Sequence, residues 1–347
     1  MLPKILIALA SLFWLGTAVA GFEEGVKAYQ AKDYATAMAE ARKAVEANDP
    51  RGALMLGLLY DSGLGVERNA TEAYSWFEKA AKGRVKGAFS KLAWAHLRGD
   101  GTFKDMNRAL TYSRLSASFD DPEGMFVLYL TLTATSLGFL DEKGRPDEAK
   151  YKALAARPIS ERKVDTEARD ALYRSAQKGY PLAIVSLATT LGGTLGENNR
   201  KKMLTLSEQV PAHRVPALRN YEKVARDMES LGTSYATPQL FADAQTAQMT
   251  TAMVKACGLN PTDTQKAESA PGIVSTAIST PLADAVYLPS EVAGYERAYL
   301  VSGTWEEEWT YKACGNTVSF IVKFKADGLG GARNESLLSG KDIPGAR

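Results

Sequence analysis

Acid–base or nucleophilic catalysis near neutral pH asks for a titratable base within hydrogen-bond reach of a nucleophile, and histidine is the commonest base. This chain of 347 residues has two histidines. His96 falls 36 residues after Tyr60 in matching sequence (96 minus 60), which marks it as a helix-packing side chain, and His213 follows Val210-Pro211-Ala212 in a connector. Neither adjoins a serine, a cysteine or a set of metal ligands. Two acidic groups, Asp120-Asp121 and Glu306 to Glu308, raise the two-carboxylate chemistry of glycoside hydrolysis. The first falls at a turn and the second on alternating strand positions, so no such role is expected. The glycine-rich loops lack the Lys-Ser/Thr or strand-to-helix context of phosphate binders. Residue chemistry therefore predicts no catalytic, cofactor-binding or metal-binding set and no enzyme.

Two further features carry chemistry of a different kind. Cys257 and Cys314 are the only cysteines, 57 residues apart (314 minus 257), without C-x-x-C spacing or flanking histidines. They are predicted to form a disulfide, which in the loop-closure model stabilises by about 4 kcal/mol. Glu307 alternates with Trp305, Trp309 and Tyr311. Either a bulge or sheet edge leaves this carboxylate wet, or the four residues form a candidate ligand face in an aromatic cleft.

The elements that must position these residues differ along the chain. A composition of 45% hydrophobic and 24% charged residues is that of a globular protein, long enough for two domains. The formal net charge is +2, and Lys4 contributes to it from a segment expected to be removed. No basic field is left for nucleic acid. Residues 1–20 read as a secretory signal: Lys4, an apolar run over 5–15, and Ala18-Val19-Ala20 at a cleavage site. The apolar run is shorter than the roughly 20 residues that cross a bilayer, so no membrane span is expected after cleavage between Ala20 and Gly21. The expected location is periplasmic or secreted, where a disulfide persists.

From residue 52 a block recurs with a shift of 36. Gly63 and Gly65 map onto Gly99 and Gly101, Asn69 onto Asp105, Ala73 onto Ala109, and Trp76 onto Tyr112. Helical spacing on either side of Gly63-Leu64-Gly65 predicts a helical hairpin per repeat, with φ > 0 at the turn. Asn69 is expected to cap the second helix, Glu72 to complete a capping-box-like pair, and Gly83 to close it in a left-handed C-cap. Small Ala73, Ala80 and Ala81 let neighbouring helices approach, while Trp76 and Phe77 present more apolar area than one hairpin can cover.

The run Ala53-x-x-x-Gly57-x-x-Tyr60-x-x-Gly63-x-Gly65-Val66, followed by Ala73-x-x-Trp76-Phe77-x-Lys79-Ala80-Ala81-x-Gly83, resembles a Sel1-like repeat. Residues 25–47 are similar to a tetratricopeptide hairpin, and Ser175-Ala176-x-x-Gly179-x-x-x-Ala183-x-x-x-Leu187-Ala188 follows the Sel1 pattern again. Residues 138–165 are a polar, Gly/Pro-punctuated insertion. The resemblance implies a mainly α, right-handed α-α hairpin solenoid over residues 21–235, of roughly five hairpins. It also implies a scaffold that holds a protein or peptide partner, here in the cell envelope. Cysteine-rich Sel1 proteins linked to β-lactams carry a cysteine pair per repeat, which this chain lacks.

Residues 236–347 read as a small α+β module. One helix over 240–256 ends at Cys257-Gly258 and Asn260-Pro261, and 262–282, rich in Ser, Thr, Ala and Pro, is expected to be a loop. The period then changes to two: Trp305 to Lys312 and Val318 to Lys325 form a hairpin about Cys314-Gly315-Asn316, with 297–301 as a third strand. This module, through its aromatic face, is the alternative seat of function, recognising a small molecule, glycan or wall fragment. Residues 305–331, with Asp327-Gly328-x-Gly330-Gly331, are similar to tails of other exported repeat proteins.

Overall fold

A computed structural model describes residues 21–136, 147–196, 198–211, 215–258 and 271–339. The expected leader, His213 and the Asn260-Pro261 stop lie outside the described residues. The chain divides into two compact units, 1–135 and 136–347, each with its own core.

The first unit is helical: α1 (21–30), α2 (Tyr34–Glu46), α3 (Pro50–Ser62), α4 (Ala70–Lys82), α5 (Lys86–Arg98), α6 (Met106–Ser118) and α7 (Pro122–Ser136). The helices α3, α5 and α7 start at Pro50, Lys86 and Pro122, and α4 and α6 at Ala70 and Met106, so each step is 36 residues. The hairpin turns take positive φ at Gly63 (65°), Gly65 (71°), Gly99 (78°) and Gly101 (75°). Asn69 caps α4 by accepting from the Glu72 amide at 3.0 Å, and Asp105 caps α6 in the same way.

Two local expectations are corrected. The Glu72 carboxylate accepts from Trp76 Nε1 at 2.9 Å, and the Asn69 amide donates to the Tyr60 carbonyl, so the capping box is half made. Gly83 has φ −78°, and Arg84 takes the left-handed turn instead (φ 59°). Gly83 is small for a packing reason: a Cβ there would lie 2.2 Å from Pro50 Cβ. Similar seats join the repeats, since a Cβ on Gly52 would meet the Ala41 carbonyl oxygen at 2.5 Å, and one on Gly124 the Ser116 hydroxyl at 2.2 Å. At the intervening joint Ala88 packs with Ala53 and Ala80.

The second unit holds α8 (Glu148–Ala155), a single tight turn (Ile159–Glu161), α9 (Lys163–Gln177), α10 (Pro181–Gly193), α11 (Asn199–Ser207), α12 (Pro216–Leu231) and α13 (Pro238–Cys257). An antiparallel sheet follows in the order β1 (Gly272–Tyr287), β2 (Leu300–Ala313), β3 (Asn316–Ala326) and β4 (Ala332–Leu338). Part of the expected insertion, 138–146, lies outside the described residues; the remainder contains α8.

The segment expected as a loop over 262–282 supplies β1 from Gly272 onward, and 297–301 is the entry into β2 rather than a separate strand. Strand β1 is an edge strand, mostly exposed, and Pro281 sits where the pairing register shifts between Thr280 and Ala283. Proline has no N–H to give a ladder and is tolerated at such an irregularity. The β2–β3 hairpin closes through Cys314 (φ 50°) and Gly315 (φ 77°), the two positive values that a tight two-residue turn requires.

One face of β2 and β3 buries Trp305, Trp309, Tyr311, Val318, Phe320, Val322 and Phe324. Helix α13 packs on it with Leu240, Phe241, Ala244, Ala252 and Ala256. Cys257 and Cys314 are bonded at the end of this layer (S–S 2.03 Å), and Asn316 Nδ2 donates to the Ala256 carbonyl at 2.7 Å. Leu195 and Met228 share the same core, so α10 to α12 form one unit with the sheet. The change of fold in the sequence falls at 235, whereas the compact units divide at 135.

Candidate functional site

Repeat register determines what the first unit offers to solvent. Leu58, Trp94 and Leu130 occupy the same position in α3, α5 and α7, 36 residues apart, and all three are partly exposed. Around the middle member, Trp94 Nε1 donates to Glu123 at 3.1 Å, Lys91 pairs with the same carboxylate at 2.7 Å, and the Arg98 guanidinium lies 3.9 Å from the Trp94 ring centroid. These partners fix the indole plane, with Arg98 over the ring, and leave the residue partly exposed. Phe103, in the turn after α5, is 92% exposed.

His96 supports that turn. Its Nδ1–H donates to the Phe103 carbonyl oxygen (3.3 Å), and Nε2 meets the Tyr74 hydroxyl (3.2 Å). The ring is buried between Tyr74 and Tyr112, so this histidine packs and braces as its position foretold. Asp120 is a left-handed turn residue, while Asp121 accepts from Ser116 Oγ and from the Glu123 amide, as a repeat turn requires.

In the second unit, Trp305, Glu307, Trp309 and Tyr311 do share one face of β2, and the structure closes that face. Glu307 is 0% exposed. Its Oε1 accepts from Trp305 Nε1 at 2.9 Å and from the Tyr235 amide at 2.8 Å, and its Oε2 accepts from Trp309 Nε1 at 2.8 Å. Neither a wet edge nor an open aromatic cleft describes this carboxylate, because α13 covers the face and the two neighbouring indoles turn their N–H groups inward. Tyr311 donates to Gln248 on α13 at 2.8 Å, and burial raises its pKa. Glu306 points to the other face, where it pairs with Lys323 at 3.3 Å, so Glu306 and Glu307 do not act on a common point. Among the described residues no three His, Cys, Asp or Glu side chains converge as metal ligands.

What Glu307 does is hold the chain at Tyr235. The segment 233–237 is fixed at other points too: the Thr233 amide donates to the Thr276 carbonyl, the Ala236 amide to Ser234 Oγ, and the Leu240 amide to Thr237 Oγ1. This segment walls a cleft of about 750 Å³, whose other sides come from the start of α11, from β1 and from β2. Asn198, Asn199, Arg200 and Lys201 line one wall, with Arg297 and Glu229 nearby and Leu282, Leu300, Tyr287 and Trp305 supplying apolar surface. Sequence reasoning missed this cleft; Arg297 lies far along the chain from Arg200-Lys201, and the pair by itself marks no site.

The Sel1 repeat family matches residues 50–84 and 90–118, the α3–α4 and α5–α6 hairpins. A Sel1 repeat protein from Oxalobacter formigenes is similar in structure, with 23% identity and a TM-score of 0.43, over 60% of this chain and 78% of that one. The protein c5321, a protective antigen of uropathogenic Escherichia coli with an SLR fold, is similar at 18% identity and a TM-score of 0.35, over 56% of this chain and 46% of that one. No curated protein matches the chain.

Proposed function

We propose that the chain, which matches the Sel1 repeat over residues 50–84 and 90–118, is an exported interaction scaffold whose first unit holds a protein or peptide partner in the cell envelope. Sel1 repeats generally mediate protein–protein interaction, and Sel1 scaffolds are typically non-enzymatic. The observation that carries the reading is the row Leu58, Trp94 and Leu130, one large apolar side chain per repeat left partly exposed at the same position. The middle member pairs a partly exposed tryptophan with an arginine, two of the residue types in which binding hot spots are enriched. Phe103 adds a second apolar point beside the row's middle repeat. Export is supported by the leader-like residues 1–20 and by the Cys257–Cys314 disulfide, a bond that persists in oxidising compartments.

A photo-crosslinking residue placed at Trp94 or Phe103 in living cells tests the scaffold. It should yield one discrete adduct, and the same probe at Thr71, on the solvent side of α4, should yield none. Equal labelling from all three positions would remove the reading. N-terminal sequencing of the purified protein tests export, with Gly21 expected as the first residue.

A further inference from the structure

The cleft walled by 233–237 has no part in the scaffold reading and lies wholly within the second unit. Its volume, about 750 Å³, falls within the range of roughly 300–1,000 Å³ typical of small-molecule sites. Its described charged residues are three cations, Arg200, Lys201 and Arg297, against one acid, Glu229.

Arg200 is the telling member. Arg200 is half-buried, and among the described residues its one hydrogen bond is a long one to the Ser234 carbonyl (3.4 Å). No ion pair to it is found among the described residues, although an arginine carries five N–H donors. Burial disfavours its charge, and the fields of Glu229 and Glu307 oppose that. A cation so placed gains from any oxyanion that reaches it. The same wall is the first turn of α11, which no side chain among the described residues caps and whose amides favour negative charge. Asn199, 3% exposed, lines this wall as well. Its amide nitrogen donates to the Thr194 and Ala298 carbonyls at 2.8 Å each, which pins the start of α11 to the approach to β2 and leaves the buried Oδ1 without a partner. Across from these groups Tyr235, 43% exposed, stands with Leu282 and Leu300 as apolar surface.

We propose that this cleft binds a small amphipathic molecule, an oxyanion on an apolar body, with Arg200 and Lys201 at the start of α11 receiving the oxyanion. Carboxylates and phosphate monoesters share that chemistry, since a guanidinium fork fits both.

Fluorescence titration of the disulfide-intact protein with anilinonaphthalene sulfonate is the test. One saturable site is expected, weakened at least ten-fold in R200Q and several-fold in K201Q. Lys201 is exposed and its replacement is tolerated by the fold, so K201Q carries the test if R200Q does not fold. Both variants binding as tightly as the parent, with unchanged circular dichroism and thermal midpoint, would overturn the proposal. Competition separates the sources: displacement by naphthoate at the lower concentration points to a carboxylate, by naphthyl phosphate to a phosphate monoester. Displacement by neither, or equally by uncharged naphthol, counts against an oxyanion site. Glu197 lies outside the described residues and is the nearest carboxylate in sequence. E197Q should leave affinity equal or tighter, and a ten-fold loss there would refute a cationic site. Crosslinking at Trp94 is unaffected by any of these outcomes.

Discussion

At the scale of single residues, the Trp305–Glu307–Trp309 arrangement shows how a carboxylate can be buried in a sheet core. Three N–H groups answer its two oxygens. Replacing Glu307 by Ala strands two indole N–H groups and one amide, each costing about 1–3 kcal/mol when left unanswered. E307A should therefore lose about 4 kcal/mol in urea unfolding. E307Q keeps one accepting oxygen but turns an NH₂ group toward an indole N–H, so a loss of about 2 kcal/mol is expected. An E307A protein within 0.5 kcal/mol of the parent would contradict this account. The sequence showed Glu307 among aromatics but not their indole N–H directions, which depend on rotamers that α13 imposes.

Tyr311 makes a pH prediction at the same scale. Burial is the first cause of its raised pKa, so the folded state keeps it protonated where an unfolded tyrosine ionises, above about 10. Its contribution is whole below that pH and falls away as pH rises beyond it, because ionisation then favours the unfolded chain. Tyr173, pushed up to about 12 by burial, acts with the same sign. Unfolding followed from pH 9 to 12 should show a steeper alkaline loss in the parent than in Y311F. The variant in turn should start about 1 kcal/mol lower for want of the bond to Gln248. Parallel curves would disprove the assignment.

At the scale of elements, glycines with different duties should respond differently to alanine. Gly101 combines φ 75° with a Cβ position 2.1 Å from the Ala70 carbonyl oxygen, so G101A should cost about 3 kcal/mol or more. Gly179 has φ 81° and open space around it, and G179A should cost only about 1 kcal/mol, the strain of the backbone alone. Gly83 has ordinary φ and a blocked Cβ, so the cost of G83A depends on how far Pro50 can retreat; about 2 kcal/mol is expected. Thermal midpoints of the three variants check the order. Turn glycines and caps were legible because their chemistry is local and repeats every 36 residues. The role of Gly83 was not, since a contact with Pro50 leaves no local mark. Strand β1 was hidden for another reason: most of its residues are exposed, so hydrophobic alternation had no buried face to report.

At the scale of the molecule, two cores imply two responses to reduction. Both cysteines lie in the second unit, and their bond spans 57 residues. Reducing it should lower that unit's stability by about 4 kcal/mol while the cysteine-free first unit holds its midpoint. Calorimetry with and without dithiothreitol should show one transition moving and one standing still; a common shift would mean that the two unfold together. The second unit's cleft was illegible for a topological reason. Arg200, Lys201 and Arg297 meet only after α11 and the approach to β2 are folded against each other, and no sequence spacing foretells that meeting.

The seats between repeats bear on how such a chain can change its length. An exact period suggests interchangeable beads, yet each joint accepts its own small residue: Gly52 against Ala41 and Ala44, Ala88 beside Ala80, and Gly124 against Ser116. Excising residues 50–85 would bring Ala88 to the seat of Gly52, where even one methyl group strikes the Ala41 carbonyl. The order of the repeats is thus written into their joints. Loss of the 50–85 block would need a compensating substitution at the new seam before the shortened unit could close.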